Sequence, residues 1–267
     1  KNKNLQMNTI NLAKKIRFEI INMSYRSKAP HLASSLSCTD IVTVLYEKIL
    51  KINKKNRFNT DKFILSKGHA ATSLYAILSH KKYFNKKELL NYAKKGSLLE
   101  EHPNPKINGV EAPTGSLGHG LPIGCGIALA AKIKKYKFRT FVLLGDGECN
   151  EGSVWEAAMF ASAKRLNNLI AIIDYNKWQG TGKSNEIMSL RPLQAKWKSF
   201  GWSVANIDGH NHKTLYKVLR KKYGKPTVVI ANTTKGKGVS FMEDDNNWHY
   251  RIPTLNEVKI AKKELKV

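Results

Sequence analysis

The strongest fold signal in this 267-residue chain is Phe141-Val142-Leu143-Leu144-Gly145-Asp146-Gly147-Glu148. Its first four residues form a continuous apolar run, which is typical of a strand buried on both faces of a parallel sheet. The run ends at a Gly-Asp-Gly turn, whose glycines allow the backbone to bend tightly and to present N–H groups to an anion. Asp146 is therefore expected at the carboxyl end of a parallel strand, where open α/β sheets bind their ligands.

A second apolar run, at residues 169–173, ends shortly before Asn176. One helix is expected between the two strands, so Asp146 and Asn176 would meet at the same edge of the sheet. Carboxylate and amide oxygens are hard ligands of the kind Mg²⁺ prefers, with water and phosphate completing its octahedron. The pattern predicts a site for Mg²⁺ and a diphosphate. An ordinary glycine-rich turn is the alternative, which the paired asparagine disfavours.

The motif continues as Gly-Asp-Gly-Glu-x-x-Glu-Gly-x-x-Trp-Glu-Ala over residues 145–157. Together with Asn176 it resembles the signature of thiamine-diphosphate enzymes, specifically the transketolase family and its separate N-terminal subunits. The resemblance runs from about residue 16 to residue 253. It implies that one group of residues holds the cofactor diphosphate and its Mg²⁺, namely Gly145, Asp146, Gly147, Asn176 and the carbonyl of Trp178.

Four histidines acquire roles from this resemblance. It implies that His31 lines the substrate channel, that His69 touches the diphosphate, that His102 faces the hydroxyls of the donor, and that His249 lies over the cofactor. Their imidazoles suit proton transfer because the ordinary histidine pKa lies near neutrality. The alternatives are a helix-entry residue for His69 and exposed loop residues for His31 and His249. Ala33 stands where the family usually has glycine, which could alter the preference for sugar phosphates.

The resemblance also assigns two loops. The backbone of Gly115, Ser116 and Leu117 would lie along the rings of the cofactor, and the adjacent glycines do not fit a dinucleotide-binding fingerprint. Glu151 would lie at a subunit interface and couple neighbouring active sites. The alternative is an ordinary loop glutamate near a helix N-terminus.

Alternating strands and helices predict a three-layer αβα fold with a mostly parallel central sheet. No linker or repeat divides the chain, so residues 1–267 are expected to form one thiamine-diphosphate-binding domain of the transketolase type. Residues 30–37 and the lysine- and asparagine-rich residues 51–56 are expected to be loops. The patterns predict strands at 61–65, 141–144, 169–173, 204–207 and 227–231, and helices at 8–25, 39–50, 70–80, 86–95, 121–135, 153–165 and 192–200.

The net charge of +26 is the one extreme of the composition. Such a charge is compatible with nucleic-acid binding, but the lysines are scattered and no RNA-binding or zinc-finger pattern accompanies them. We interpret the charge as solvated surface that attracts phosphorylated substrates and the acidic cofactor. The longest uncharged apolar stretch, at residues 121–131, is too short to span a bilayer. Three widely spaced cysteines and the absence of a signal-peptide pattern favour a cytoplasmic protein.

The resemblance implies a transketolase that transfers a two-carbon unit from a ketose, or ketose phosphate, to an aldose. In that family a glutamate from a separate pyrimidine-binding domain activates the cofactor, and this sequence ends before such a domain. We therefore expect the chain to act only with a C-terminal transketolase subunit, in an α₂β₂ assembly, without nucleic acid or membrane partners. The alternatives are a deoxyxylulose-phosphate-synthase-like or specialised sugar-biosynthesis enzyme, a scaffold without catalysis, and a basic nucleic-acid-binding protein.

Overall fold

A parallel sheet forms the centre of the molecule. The computed structural model describes residues 2–53 and 56–267, so residues 54 and 55 of the loop expected at 51–56 lie outside it. Within this part of the chain the sheet has five parallel strands, namely β1 (Lys62–Leu65), β2 (Thr140–Gly145), β3 (Leu169–Tyr175), β4 (Ser203–Asp208) and β5 (Thr227–Asn232). Their order across the sheet is β1-β2-β3-β5-β4.

The central strands are apolar along their whole length because they are covered on both faces. Phe141 and Leu143 point into one hydrophobic core, whereas Val142 and Leu144 point into the other. Successive side chains of a strand alternate between the two faces of a sheet, so an unbroken apolar run requires a layer on each side. This arrangement confirms the predicted three-layer αβα fold.

Helices form the two outer layers. They are α1 (Asn2–Ser27), α2 (Leu32–Ser37), α3 (Thr39–Val44), α4 (Ala71–His80), α5 (Gly120–Ile133), α6 (Gly152–Ala163), α7 (Ser184–Ile187), α8 (Leu193–Ser199), α9 (His212–Leu219) and α10 (Leu255–Leu265). One core packs helices α1, α3, α4, α9 and α10 against the sheet, and the other packs α5, α6 and α8. A π-helical turn, Leu45–Ile49, extends α3.

The structure corrects two predicted elements. Residues 30–37, predicted as a loop, contain the buried helix α2, in which the Ser35 hydroxyl bonds back to the carbonyl of His31 at 3.4 Å. The helix predicted at residues 86–95 is only the 3₁₀ turn Lys86–Asn91. The chain leaves this turn at Ala93, whose φ of 53° is left-handed and whose N–H bonds to the carbonyl of Leu99 instead.

Three further helices, α7, α9 and α10, were missed by the sequence analysis, although the last two carry a start signal. Asn211 caps α9 by accepting a hydrogen bond from the backbone N–H of Thr214. Thr254 and Glu257 form a capping box at the start of α10. Both patterns are known N-terminal signals of helices.

All five strands point the same way, so their carboxyl ends meet at one edge of the sheet. The segments that leave this edge are residues 66–70, 146–151, 176–183, 209–211 and 233–249. Among the residues that the structure describes, no helix combines the length and apolar character needed to cross a bilayer.

Candidate functional site

Asp146 and Asn176 leave neighbouring strands at this edge. Gly145 of β2 pairs with Asp174 of β3, which places the two following loops side by side. A carboxylate oxygen of Asp146 accepts hydrogen bonds from the backbone N–H of Lys177 at 2.9 Å and from the Ser184 hydroxyl at 2.8 Å. The two residues that the sequence analysis paired are therefore close in the structure.

The donor atoms at this point fit a magnesium ion. Asp146 and Asn176 are 1 % and 5 % exposed, and no group of three or more histidine, cysteine or acidic residues suited to a metal occurs among the described residues. Mg²⁺ needs few protein ligands when phosphate and water supply the rest. Burial, together with the nearby charge of Asp174, raises the pKa of Asp146 to about 6. A divalent cation would offset the free-energy cost of burying the carboxylates of Asp146 and Asp174.

Trp178 follows Asn176 in the same loop. Its backbone N–H donates to the side-chain oxygen of Asn176 at 3.0 Å, and its backbone bridges to Lys183. Its indole N–H donates to Asp244 at 2.7 Å. These bonds fix the loop in which the metal-binding carbonyl is predicted. Gly147 packs closely against the same loop, since a Cβ at this position would lie 2.8 Å from Cγ of Gln179.

A buried ion pair supports the site from beneath the loops. Nζ of Lys67, which follows β1, lies 2.6 Å from a carboxylate oxygen of Asp174, and the side chains are 1 % and 0 % exposed. The same lysine donates to the carbonyl of Ser34 at 3.0 Å, and the Ser37 hydroxyl donates to Asp174 at 2.5 Å. The sequence analysis missed this pair, which ties helix α2 to strand β3.

Three of the four histidines predicted for the site form one tight cluster, and the fourth borders it. The ring of His31 lies 5.5 Å from His69, 5.1 Å from His249 and 6.4 Å from His102, measured between centroids. His31 has a left-handed backbone (φ 68°) directly before α2, and its N–H donates to the carbonyl of His249 at 2.7 Å. Tyr250 stands beside the cluster, 4.6 Å from His249.

The cluster is held in its neutral form. Burial, followed by the charges of His102 and Lys235, lowers the pKa of His31 to about 4. Burial and Lys235 lower the pKa of His249 to about 3, and burial lowers that of His69 well below its ordinary value. These pKa values lie below the ordinary histidine value, which is the value on which the sequence analysis based its assignment to proton transfer. A bound anion would raise these pKa values again.

Lys235 is a second cation that the sequence analysis missed. It follows β5, is 1 % exposed, and donates from Nζ to the side-chain oxygen of Asn246 at 2.6 Å. Its Nζ lies 3.1 Å from Nδ1 of His249. Burial, together with the charge of Lys67, lowers the pKa of Lys235 to about 8. The sequence signal for it is a lysine shortly after a buried strand.

The loop at Gly115, Ser116 and Leu117 borders the histidines. A Cβ on Gly115 would lie 3.0 Å from the His102 ring, so the backbone and the imidazole are in direct contact. The carbonyl of His102 accepts from the Tyr75 hydroxyl at 2.7 Å. This contact places His102 next to the segment predicted to lie along the cofactor rings.

Glu148 joins three segments around the site and was also missed. It is 2 % exposed and accepts from the backbone N–H of Gly118 at 2.9 Å and of Gly145 at 3.0 Å, as well as from the Ser66 hydroxyl. Burial raises its pKa. Glu151, by contrast, is exposed directly before α6, beside Gly118.

Comparisons with known proteins agree with this geometry. The family model described as transketolase, thiamine diphosphate binding domain, matches residues 8–267. One subunit of the apulose-4-phosphate transketolase of Phocaeicola vulgatus is 38 % identical, with 98 % of this chain and 95 % of the relative covered. The subunit of the same name from Actinobacillus succinogenes is 42 % identical, covering 95 % and 94 %. The 6-deoxy-6-sulfo-D-fructose transketolase subunit SqwG of a Clostridium species is 39 % identical, covering 88 % of both.

Solved structures show the same fold. The crystal structure of transketolase from Campylobacter jejuni superimposes with a TM-score of 0.90 at 28 % identity, covering 97 % of this chain. This chain spans 42 % of that transketolase and 38 % of human transketolase. Since the family model covers residues 8–267 and two relatives of nearly equal length are 38 % and 42 % identical, this chain belongs to the transketolase family and is its thiamine-diphosphate-binding part.

Proposed function

We propose that this chain is the cofactor-binding subunit of a split transketolase that uses thiamine diphosphate and Mg²⁺. The observation that carries the proposal is the meeting of Asp146, the Asn176 loop and the histidine cluster at one edge of the sheet. When bound, the cofactor supplies the electron sink for breaking the carbon–carbon bond beside a ketose carbonyl. The chain supplies the binding groups, their orientation and their charge.

Asp146, Asn176 and the carbonyl of Trp178 would hold Mg²⁺, and the diphosphate would complete its coordination together with water. Buried cations and N–H groups bind phosphate oxygens by charge-assisted hydrogen bonds. The groups that face the diphosphate would be the backbone of Gly147, the ring of His69 and the ammonium of Lys235. Gly145, whose N–H donates to Glu148, would shape the turn that lets them approach the diphosphate. The backbone of Gly115, Ser116 and Leu117 would lie along the organic rings.

His31, His102 and His249 would contact the substrate. Neutral imidazoles can both accept and donate hydrogen bonds, which suits the hydroxyl and carbonyl oxygens of a ketose. The rings of His31 and His249 could exchange a proton with such an oxygen once a bound anion has raised their lowered pKa values toward neutrality. We assign the rings to substrate orientation and proton transfer.

The substrate would be an anionic sugar. Two relatives are named for acting on apulose 4-phosphate and on 6-deoxy-6-sulfofructose, whose acidic groups differ but share negative charge. The net charge of +26 on this chain would attract either kind of substrate. This charge complementarity favours a donor and an acceptor that carry phosphate or sulfonate groups.

A second chain with the pyrimidine-binding domain would complete the enzyme in an α₂β₂ assembly. In support, the relatives of nearly equal length are named as subunits, whereas the solved transketolases are more than twice as long as this chain. The exposed Glu151 would face a neighbouring subunit. The three cysteines, all of which are free and buried, support a cytoplasmic location.

The test is reconstitution with a candidate partner chain. With both chains, Mg²⁺ and thiamine diphosphate present, mass spectrometry should detect transfer of a two-carbon unit from an anionic ketose to an aldose. Steady ketose turnover by this chain alone would overturn the need for a partner. Formation of 1-deoxyxylulose 5-phosphate would favour the alternative enzyme, and salt-sensitive DNA or RNA binding that survives Asp146→Ala would favour the nucleic-acid alternative.

A further inference from the structure

The turn at residues 233–238, which we name the Lys235 turn, is held from outside by two side chains. Nε2 of His210 accepts a hydrogen bond from the backbone N–H of Thr234 at 2.9 Å. Nε of Arg17 donates to the carbonyl of Lys237 at 2.7 Å. These bonds fix the backbone on both sides of Lys235, whose Nζ points into the histidine cluster.

Both side chains meet on one buried carboxylate. Arg17 binds Asp40 with two N–H groups, at 3.0 and 2.7 Å. Nδ1 of His210 lies 2.7 Å from the same carboxylate, and Nε2 of His212 lies 2.9 Å from it. Asp40 and Arg17 are each 5 % exposed. One carboxylate thus orients both groups that hold the Lys235 turn.

The bonds of His210 define its protonation. Because a backbone N–H donates to Nε2, this nitrogen must carry a free lone pair, and the ring proton must lie on Nδ1. From there it donates to Asp40. A phenyl ring at this position would fill the space but leave the Thr234 N–H without its acceptor.

The Lys235 turn has little freedom on its inner side. The N–H of Gly236 donates to the carbonyl of Ala33 at 3.1 Å, and a Cβ on Gly236 would lie 2.0 Å from the carbonyl oxygen of Met242. The turn is therefore packed inside and anchored outside. Loss of the outer anchor would let Thr234 and Lys235 move together.

We propose that Asp40 and His210 are positioning residues for Lys235: they hold the Lys235 turn so that its ammonium stays beside Asn246 and His249. Neither acts on the substrate directly. One consequence rests on the proposed function: a displaced Lys235 would weaken the binding of thiamine diphosphate.

Hydrogen exchange tests the anchor in the isolated chain. His210→Phe should raise the exchange rate of the amides in a peptide covering residues 232–238 about two- to tenfold, as expected for loss of one hydrogen bond that closes a local structure. Acetylation of Lys235 should rise in parallel. His210→Gln, which keeps an acceptor and a donor, should lie near wild type. His80→Phe is the matched control, because His80 is half exposed on α4.

Unchanged exchange and acetylation in His210→Phe would overturn the proposal, as would an equal rise in the β3 peptide, since the effect would then be global. The nitrogen chemical shifts of His210 in the wild-type chain test it without any variant: a proton found on Nε2 rather than Nδ1 would overturn it. A chain that shows the expected exchange but never binds thiamine diphosphate would refute the proposed function and leave the positioning role intact.

Discussion

Replacing Lys67 with methionine is expected to destabilise the fold by about 3–5 kcal/mol, because Asp174 would keep a buried charge without its cation. The two side chains are almost fully buried, with 2.6 Å between Nζ and the carboxylate oxygen. Burial alone would lower the pKa of Lys67, but the charge of Asp174 raises it above its ordinary value. The lysine is therefore charged in the folded chain, and its removal leaves the carboxylate unpaired.

The double variant separates charge loss from lost packing. Lys67→Met with Asp174→Asn removes both charges, and the remaining amide oxygen can still accept from the Ser37 hydroxyl. We expect the double variant to be more stable than Lys67→Met alone by about 2 kcal/mol, because it leaves no buried charge without a partner. The order of stability is wild type, double variant, single variant.

Urea unfolding followed by circular dichroism measures these differences. Lys81→Met is the matched control, because Lys81 pairs with Glu47 at 3.2 Å with side chains that are 30 % and 20 % exposed. This pair is partly open to solvent, unlike the buried Lys67–Asp174 pair, and we expect it to contribute about 0–1 kcal/mol. A loss below about 1 kcal/mol in Lys67→Met, or a double variant no more stable than the single one, would refute the account of a buried ion pair that supports the site.

Three further predictions concern other buried groups. Glu148→Gln should lower the free energy of unfolding, measured in urea, by about 1–3 kcal/mol, because the NH₂ group of the new glutamine cannot accept a hydrogen bond from a backbone N–H. Glu156→Gln, on the exposed face of α6, is the control and should change the stability little. Asp40→Asn should cost about 3–5 kcal/mol at pH 7. Burial alone would raise the pKa of Asp40, but the charge of Arg17 holds this pKa well below its ordinary value. The contribution of Asp40 to stability is therefore present above about pH 4 and is lost as the pH falls toward the lowered pKa. A constant difference between pH 7 and pH 3 would contradict this assignment. Lys235→Met should weaken binding of Mg²⁺–thiamine diphosphate to the reconstituted enzyme about tenfold or more in calorimetry, and equal affinity would remove Lys235 from the diphosphate site.

The strands could be predicted because each buried strand is a continuous apolar run in the sequence. Strand β2 spans Thr140–Gly145, where the apolar run 141–144 predicted it, and β3 spans Leu169–Tyr175 around the predicted 169–173. Parallel strands bring their carboxyl ends to one edge, so the proximity of Asp146 to the Asn176 loop follows from the same pattern. The histidines were found through the family resemblance, since no local rule brings residues 31, 69, 102 and 249 together.

The buried charges could not be predicted because their partners are distant in the chain. Lys67 meets Asp174 across 107 residues, and Asp40 meets His210 across 170. A lysine or aspartate of this kind looks like a surface residue until the fold supplies its partner. Glu148 lies inside the recognised motif, but its inward orientation depends on Gly118 and Ser66, which come from other segments.

The central claim is that Asp146 and Asn176 hold a magnesium ion that binds the diphosphate of the cofactor. The most direct measurement is calorimetric titration of thiamine diphosphate into this chain together with its partner, with Mg²⁺ and with the metal removed by EDTA. We predict binding heat that requires Mg²⁺ and disappears in Asp146→Ala. Absence of heat with the wild-type complex, or undiminished affinity in Asp146→Ala, would contradict it.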